Sequence, residues 1–230
     1  MEQYKNKVIM GDCLIAMKGI PDKSIDLILT DPPYGVNIVK KGLISGYINL
    51  NGTSKQKGFK TQKYYTPKEW DSKVPTKDYF DEMIRISKNQ IIFGGNYFSS
   101  MLPNSSCWIV WDKKEKVTND FADCELAWTS FKKGVRKFQY GWTGFEGINN
   151  TKRDNDKKLH PTQKPRKLFE WIIEKYSKEG MTILDPFAGS GTTGVACKNL
   201  NRNYILIEKE QEYIDIINKR LNEKENNHTA

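Results

Sequence analysis

The chain has 230 residues, and its 37 lysines and arginines outnumber its 28 aspartates and glutamates, which gives a formal net charge of +9. Its four cysteines form no Cys-x-x-Cys pair, which argues against a zinc site and against a disulfide framework. No apolar run is long enough to span a membrane and no signal peptide is recognisable, so we expect a cytoplasmic protein without a metal or a membrane partner. The basic excess suits a polyanionic partner, although a lysine-rich genome would produce the same excess.

The first predicted elements are a short strand at residues 7–10 and a helix at residues 13–19. Asp12 lies between them, immediately before the helix. An aspartate in this position commonly caps the first turn of a helix. Asp12 is therefore predicted as a helix cap.

An apolar run of strand length at residues 25–30 ends at Asp31-Pro32-Pro33-Tyr34. The two prolines cannot donate ladder hydrogen bonds, so the strand must stop there in a stiff turn. The turn places the Asp31 carboxylate and the carbonyls of Asp31 and Pro32 beside the aromatic face of Tyr34. Acceptors next to an aromatic ring suit a nucleobase with an exocyclic amine. The simpler interpretation is a proline turn with an exposed tyrosine.

Residues 35–68 contain seven lysines and no acidic residue, with aromatic residues between the lysines and glycines that break any periodicity. This composition predicts an inserted flap that closes over nucleic acid, because lysines contact phosphates whatever the base sequence. The alternative is a solvated loop that contacts nothing. The predicted phosphate contacts in this segment are Lys40, Lys41, Lys55, Lys57, Lys60 and Lys63.

Helices and strands alternate through the rest of the chain. We predict helices at residues 76–88, 166–177 and 211–221, and strands at residues 90–93, 107–112, 125–128 and 204–207. Such alternation is typical of a doubly wound α/β sheet.

A second motif, at residues 183–193, combines an apolar strand, a glycine-rich turn and the start of a helix. Gly189 and Gly191 let the backbone approach a ligand closely, and the first turn of the helix offers unpaired N–H groups. Glu208 ends the next strand, where an acid can accept hydrogen bonds from ribose hydroxyls. These features together predict a site for a nucleoside-type cofactor.

The two motifs give the chain a specific resemblance. Asp31-Pro32-Pro33-Tyr34 followed by Asp185-Pro186-Phe187-Ala188-Gly189-Ser190-Gly191-Thr192-Thr193 resembles the S-adenosylmethionine-dependent DNA amino-methyltransferases, which methylate N6 of adenine or N4 of cytosine. The catalytic motif precedes the cofactor motif, as in the circularly permuted β group of that family. His160-Pro161-Thr162-Gln163-Lys164-Pro165 and Gly11-Asp12-Cys13 are also similar to motifs of this group, and the resemblance spans residues 6–221.

The resemblance implies the roles of individual residues. Asp31, Pro32, Pro33 and Tyr34 would be catalytic, and Thr162 and Lys164 would contact the methionine carboxylate of the cofactor. Asp12 would accept a hydrogen bond from the adenine amino group of the cofactor. The full predicted set for S-adenosylmethionine is Asp12, Cys13, Asp31, His160, Thr162, Lys164, Asp185, Pro186, Phe187, Ala188, Gly189, Ser190, Gly191, Thr192, Thr193, Glu208 and Lys209.

The resemblance also implies the architecture. We expect one methyltransferase domain over residues 1–230, with a mostly parallel, Rossmann-like sheet of seven strands of which one is antiparallel. Permutation would place the chain termini on adjacent strands. Residues 131–158 carry eight basic residues against three acids and match the position of the target-recognition element of the family. The predicted DNA contacts in this segment are Lys132, Lys133, Arg136 and Lys137.

The sequence therefore predicts a bacterial or phage-encoded enzyme that transfers a methyl group from S-adenosylmethionine to N6 of a flipped adenine in DNA. N4-cytosine methylation is the alternative, followed by RNA or protein-glutamine methylation. An NAD-binding dehydrogenase is disfavoured because no Gly-x-Gly-x-x-Gly follows the first strand. A non-catalytic nucleic-acid-binding module would leave Asp31 and Glu208 without a role. The sequence leaves open whether the protein forms a homodimer and whether it acts with a partner restriction nuclease.

Overall fold

The computed structural model describes residues 1–35, 74–113, 122–142, 159 and 163–223. A short 3-10 helix, Glu2–Tyr4, opens the chain. The strands in these residues are β1 Lys7–Met10, β2 Ile25–Thr30, β3 Ser87–Phe93, β4 Trp108–Asp112, β5 Cys124–Thr129, β6 Arg136–Gln139, β7 Thr182–Asp185 and β8 Asn203–Glu208. The α-helices are α1 Cys13–Lys18, α2 Lys77–Ile86, α3 Arg166–Tyr176, α4 Thr192–Asn199 and α5 Gln211–Asn222.

The strands form one sheet in the order β1-β8-β7-β2-β3-β5-β4-β6. Among the described strands, only β5 runs antiparallel to its neighbours, which confirms the predicted mostly parallel sheet with one antiparallel strand. β1 pairs with β8, so the strands nearest the two termini are adjacent, as predicted for a permuted chain. β2 pairs in parallel with β7, and their carboxyl ends lie at the same edge of the sheet. The turns that carry Asp31 and Asp185 therefore meet.

The predicted count of seven strands is wrong, because the described residues hold eight. The additional strand is β6, which pairs in parallel with β4 and lies inside the segment predicted for target recognition. Phe138 is the one apolar residue of β6, and its ring lies 5.2 Å from that of Trp171 on α3. A single apolar residue gives no alternating pattern, so the strand was not predicted.

Both faces of the sheet are covered, as expected for a doubly wound fold. Leu27 and Leu29 of β2 pack in a buried cluster with α3, whose Leu168 and Ile172 are fully buried. Ile28 points to the opposite face and is also fully buried. No helix among the described residues is long and apolar enough to cross a membrane.

The chain divides into two compact units, residues 1–32 with 76–230, and residues 33–75. The sheet and the helices belong to the first unit. The predicted flap falls in the second unit, and its six lysines lie outside the described residues. The flap and the single methyltransferase domain stay predictions.

Gly191 is required where the glycine-rich turn enters α4. Its φ of +78° lies in the left-handed region, and a Cβ there would lie 2.9 Å from Cγ1 of Ile217 on α5. The turn thus depends on the absence of a side chain both for its backbone conformation and for its approach to α5.

Gly191→Ala should lower the free energy of unfolding by about 2–4 kcal/mol, through left-handed strain and overpacking against Ile217. Gly180→Ala is the matched control, since Gly180 has the same φ of +78° and nothing within 4 Å of the added Cβ. The control should lose only about 1–2 kcal/mol. Urea unfolding of both variants measures the difference, and equal losses would contradict the close packing at Gly191.

Candidate active site

Asp31 follows β2, and its carboxylate is bound by the buried ammonium of Lys164. Lys164 Nζ donates to Asp31 Oδ2 at 2.5 Å, and the two side chains are 5% and 18% exposed. Lys164 lies just before α3, far from Asp31 in the chain, so the fold alone creates this contact. Charge-assisted hydrogen bonds of this kind are short and strong, and this one fixes the direction of the Asp31 carboxylate.

Lys164 has two further neighbours. Its Nζ lies 3.0 Å from Oε2 of Glu125 on β5 and 5.6 Å from the ring centroid of Phe93. Burial lowers the pKa of Lys164, but the charges of Asp31 and Glu125 outweigh burial and raise the pKa above its usual value. Lys164 is therefore positively charged at neutral pH.

Asp185 connects the glycine-rich turn to β2. Its carboxylate accepts hydrogen bonds from the hydroxyls of Thr30, at 2.7 Å, and of Thr193, and from the backbone N–H of Phe187 at 3.1 Å. Burial raises the pKa of Asp185 to about 6, although these hydrogen bonds oppose the increase. Asp185 thus ties the end of β2, the turn and the start of α4 together.

Glu208, at the end of β8, holds the glycine-rich turn from the other side. Its Oε2 accepts from Gly189 N at 2.8 Å, and its Oε1 accepts from the N–H groups of Lys209 and Glu210 at 2.9 and 3.0 Å. Burial raises the pKa of Glu208, and the three backbone donors oppose that increase. A carboxylate has about four acceptor sites, so a ribose hydroxyl would share an oxygen with one of these donors.

Asp12 caps helix α1, which confirms the predicted helix cap. Its Oδ1 accepts from Leu14 N at 2.8 Å and from Ile15 N at 3.2 Å. The hydroxyl of Tyr79 on α2 donates to the other oxygen at 3.3 Å, and the Tyr79 ring lies 6.0 Å from that of Phe187. Sequence reasoning missed Tyr79, because a tyrosine in the first turn of a helix carries no signal for a ligand site.

Gln163 and Arg220 also hold the glycine-rich turn; Gln163 belongs to one of the quoted motifs, but neither residue was assigned a role from the sequence. Gln163 Oε1 accepts from Ser190 Oγ at 3.0 Å and from Leu159 N at 2.8 Å. Arg220 on α5 donates to the carbonyl of Ser190 at 2.7 Å. The turn is therefore fixed by side chains from the segment before α3, from β8 and from α5.

A cleft opens between the ends of β2 and β7. Eleven residues line it, and nine of them belong to the predicted cofactor set: Asp31, Gln163, Lys164, Phe169, Asp185, Phe187, Ala188, Gly189, Ser190, Thr192 and Thr193. Backbone N–H groups, acidic side chains and the ring of Phe187 suit a nucleoside with a positively charged substituent. These residues fit S-adenosylmethionine.

The chain is similar to known DNA methylases over most of its length. A family model described as DNA methylase matches residues 59–219. The Type II methyltransferase M.HinfI of Haemophilus influenzae is 31% identical over 97% of this chain and 70% of its own. The chain belongs to the DNA methylase family.

This methylase has further relatives. The Type II methyltransferase M.HpaI of Haemophilus parainfluenzae is 30% identical over 96% of this chain and 75% of its own. The crystal structure of the M1.HpyAVI complex with S-adenosylmethionine superposes with a TM-score of 0.55 over 94% of this chain and 99% of that one, at 23% identity. The structural similarity shows the shared fold. The methylase is an S-adenosylmethionine-dependent enzyme that methylates amino groups in DNA.

The described part of the methylase brings together many of the predicted residues. Cys13 is buried in the first turn of α1, and burial raises the pKa of its thiol to about 12, so the thiol is neutral. Pro33 and Tyr34 belong to the second compact unit. His160 and Thr162 lie outside the described residues. The roles of all these residues stay predictions.

The four basic residues predicted to contact DNA near β6 are exposed. They are Lys132, Lys133, Arg136 and Lys137. Lys137 pairs with Asp112 at 3.4 Å, and Lys133 lies 5.5 Å from the ring centroid of Tyr176. In the described ranges, no group of three or more histidines, cysteines and acids is arranged to hold a metal ion.

The raised pKa of Asp185 predicts a pH dependence of stability. The folded state holds the Asp185 proton up to about pH 6, whereas an aspartate in the unfolded chain has a pKa of about 3.8, so the stabilisation is present at low pH and is lost as pH rises between these values. We expect the free energy of unfolding to fall by roughly 1–3 kcal/mol more in the wild type than in Asp185→Asn across this range.

Urea unfolding at several pH values between 4 and 6.5 measures this difference. Asp26→Asn is the control, because the pKa of the Asp26 carboxyl on β2 is lowered: burial raises it, but the hydrogen bonds from Lys88 and from the backbone N–H of Thr182, together with the charge of Lys88, outweigh burial. Parallel pH profiles of the wild type and Asp185→Asn would contradict the raised pKa.

Proposed function

We propose that the enzyme methylates N6 of adenine in DNA, with Asp31 and the carbonyl of Pro32 as acceptors for the two hydrogens of the amine. The supporting observation is the Asp31 carboxylate, held by Lys164 at the end of β2, beside the glycine-rich turn that follows β7. A carboxylate and a carbonyl that accept these hydrogens favour a pyramidal nitrogen. Its lone pair, otherwise delocalised into the ring, then becomes available to attack a methyl group.

The cofactor would lie along the glycine-rich turn. Asp12, Tyr79 and Phe187 would lie near its adenine, and Glu208 would lie near its ribose. S-adenosylmethionine supplies, when bound, a methyl group on a positively charged sulfur. The carboxylates of the cleft favour that charge, and the turn orients the cofactor relative to Asp31. Orientation and electrostatics of this kind supply much of the rate in group transfer.

The target base must leave the duplex to reach Asp31, which costs a few kcal/mol. Tyr34 follows Asp31 by three positions, and we propose that its ring stacks on the flipped base. The exposed lysines and Arg136 near β6 would contact phosphates, as would the lysines of residues 35–68. The setting that we propose is the bacterial cytoplasm, because M.HinfI and M.HpaI are bacterial proteins. A homodimer and a partner nuclease stay hypotheses.

The choice of adenine rests on Asp31. In the family that the chain resembles, aspartate typically opens the catalytic motif of adenine enzymes, and serine opens that of cytosine enzymes. A carboxylate is also the stronger acceptor for an amine hydrogen. N4-cytosine methylation is the second candidate, because the family includes both reactions.

Nucleoside mass spectrometry identifies the product directly. DNA that has been methylated by the purified enzyme and then digested should contain N6-methyladenine. DNA treated without S-adenosylmethionine is the control. N4-methylcytosine as the main product would contradict adenine as the target base. It would still agree with methyl transfer to an exocyclic amine.

Asp31→Asn should lower the rate of methyl transfer by about 100-fold or more, since an amide loses the charge and one acceptor oxygen. Its affinity for S-adenosylmethionine should change by no more than about threefold, or under 1 kcal/mol. Single-turnover methylation and calorimetry measure the two quantities. Substantial turnover by Asp31→Asn would contradict the mechanism.

Asp26→Asn is a matched control for this variant. Asp26 lies on the same strand, is 21% exposed and pairs with Lys88 at 2.7 Å, but at the opposite end of β2. Its substitution removes a similar ion pair far from the cleft. The control should therefore retain the wild-type rate of methyl transfer.

A further inference from the structure

Four side chains of alternating charge form a row that ends at Asp31. Lys113 Nζ lies 2.9 Å from Glu125 Oε1, Lys164 Nζ lies 3.0 Å from Glu125 Oε2, and Lys164 donates to Asp31 at 2.5 Å. We call Lys113, Glu125, Lys164 and Asp31 the charged row. Its two positive and two negative charges balance.

The charged row is largely withdrawn from solvent. The side chains of Lys113, Glu125, Lys164 and Asp31 are 19%, 22%, 5% and 18% exposed. They come from the end of β4, from β5, from the segment before α3 and from the end of β2. Removing charges from water costs several kcal/mol for each ion, and an apolar core would avoid that cost. The row therefore indicates a function beyond stability.

Glu125 is ionised in this environment. Burial raises the pKa of its carboxyl, but the charges of Lys164 and Lys113 outweigh burial and lower the pKa to about 2. Glu125 Oε2 is shielded from solvent and lies 3.0 Å from Lys164 Nζ. Glu125 therefore shares the charge of Lys164 with Asp31, to which Lys164 donates at 2.5 Å.

A lysine that is shared between two carboxylates neutralises each of them less than a lysine with one partner. This difference matters for Asp31, because an acceptor whose charge is fully neutralised by an ammonium attracts an amine hydrogen less strongly. An acceptor without any lysine would lose its fixed direction. Sharing gives Asp31 a fixed direction and retains its negative charge.

We infer that Glu125 is a positioning residue for methyl transfer, which acts on Asp31 by sharing Lys164. Lys113 completes the arrangement by holding Glu125 Oε1. This inference rests on the proposed function, in which Asp31 accepts the hydrogens of the amine.

Glu125→Gln tests the inference, because it keeps the shape of the side chain and removes its charge. Lys164 is then no longer shared with a carboxylate at position 125 and neutralises Asp31 more fully, so the single-turnover rate of methyl transfer should fall by about tenfold or more at saturating DNA and S-adenosylmethionine. The dissociation constant for S-adenosylmethionine, measured by calorimetry, should stay within about twofold. This separation of rate from affinity is not expected of a residue that only stabilises the fold.

Glu170→Gln is the matched control. Glu170 on α3 is 23% exposed, pairs with Arg166 at 3.6 Å and accepts from Asn199 at 2.8 Å, with no link to Asp31. Its rate should stay within about twofold of the wild type. A second variant, Lys113→Gln, leaves Glu125 and Lys164 in place, draws Lys164 towards Glu125 and away from Asp31, and so loosens the fixed direction of the Asp31 carboxylate. It should slow methyl transfer by about threefold or more without weakening cofactor binding.

Either of two results would overturn the inference: a wild-type rate in Glu125→Gln, or a rate loss matched by an equal loss of cofactor affinity. If Glu125→Gln does not fold, a wild-type rate in Lys113→Gln would overturn it. The proposed function is tested separately by Asp31→Asn. Full activity in Glu125→Gln beside an inactive Asp31→Asn contradicts only the role of Glu125, whereas an active Asp31→Asn contradicts the proposed function itself.

Discussion

The ion pair between Lys164 and Asp31 is the contact on which the proposed chemistry depends. Lys164 is almost fully buried, and Asp31 is one of the two acidic residues that line the cleft. Burying one of these charges without the other would cost several kcal/mol, so each requires its partner. The pair fixes a carboxylate whose direction would otherwise vary at the end of a strand. Glu125 and Lys113 continue the row of ion pairs from Lys164 to strand β5 and the end of strand β4.

The topology of the sheet brings the pair to the cofactor site. β2 and β7 are parallel neighbours, so the turns after them open at one edge of the sheet, where open α/β folds bind ligands. Thr30 and Asp185 join these turns directly through a buried hydrogen bond. β1 and β8 pair beside them, and their register places Met10 opposite Glu208, so Asp12 follows close to the same edge. A permuted chain thus assembles the site from both of its ends.

The elements that carry the site could be predicted from the sequence, because β2, β7 and β8 are short apolar runs that end at acids. β3 begins at Ser87, three residues earlier than predicted, since its polar Ser87 and Gln90 are buried and bonded to each other. The contact of Lys164 with Asp31 could not be predicted, because no pattern in the sequence indicates which charged residues of distant segments form an ion pair. Glu125 was missed for the same reason, as a single charge within a strand predicts an exposed position.

The most direct test of the proposed role of Asp31 is a crystal structure of the enzyme with a DNA duplex and a non-reactive analogue of S-adenosylmethionine. The decisive measurement is the distance from the amine nitrogen of the flipped base to the Asp31 carboxylate. We predict about 3 Å, with the second hydrogen directed at the Pro32 carbonyl and Lys164 still bound to Asp31. An amine nitrogen beyond hydrogen-bond distance of the Asp31 carboxylate would contradict the proposed role of Asp31.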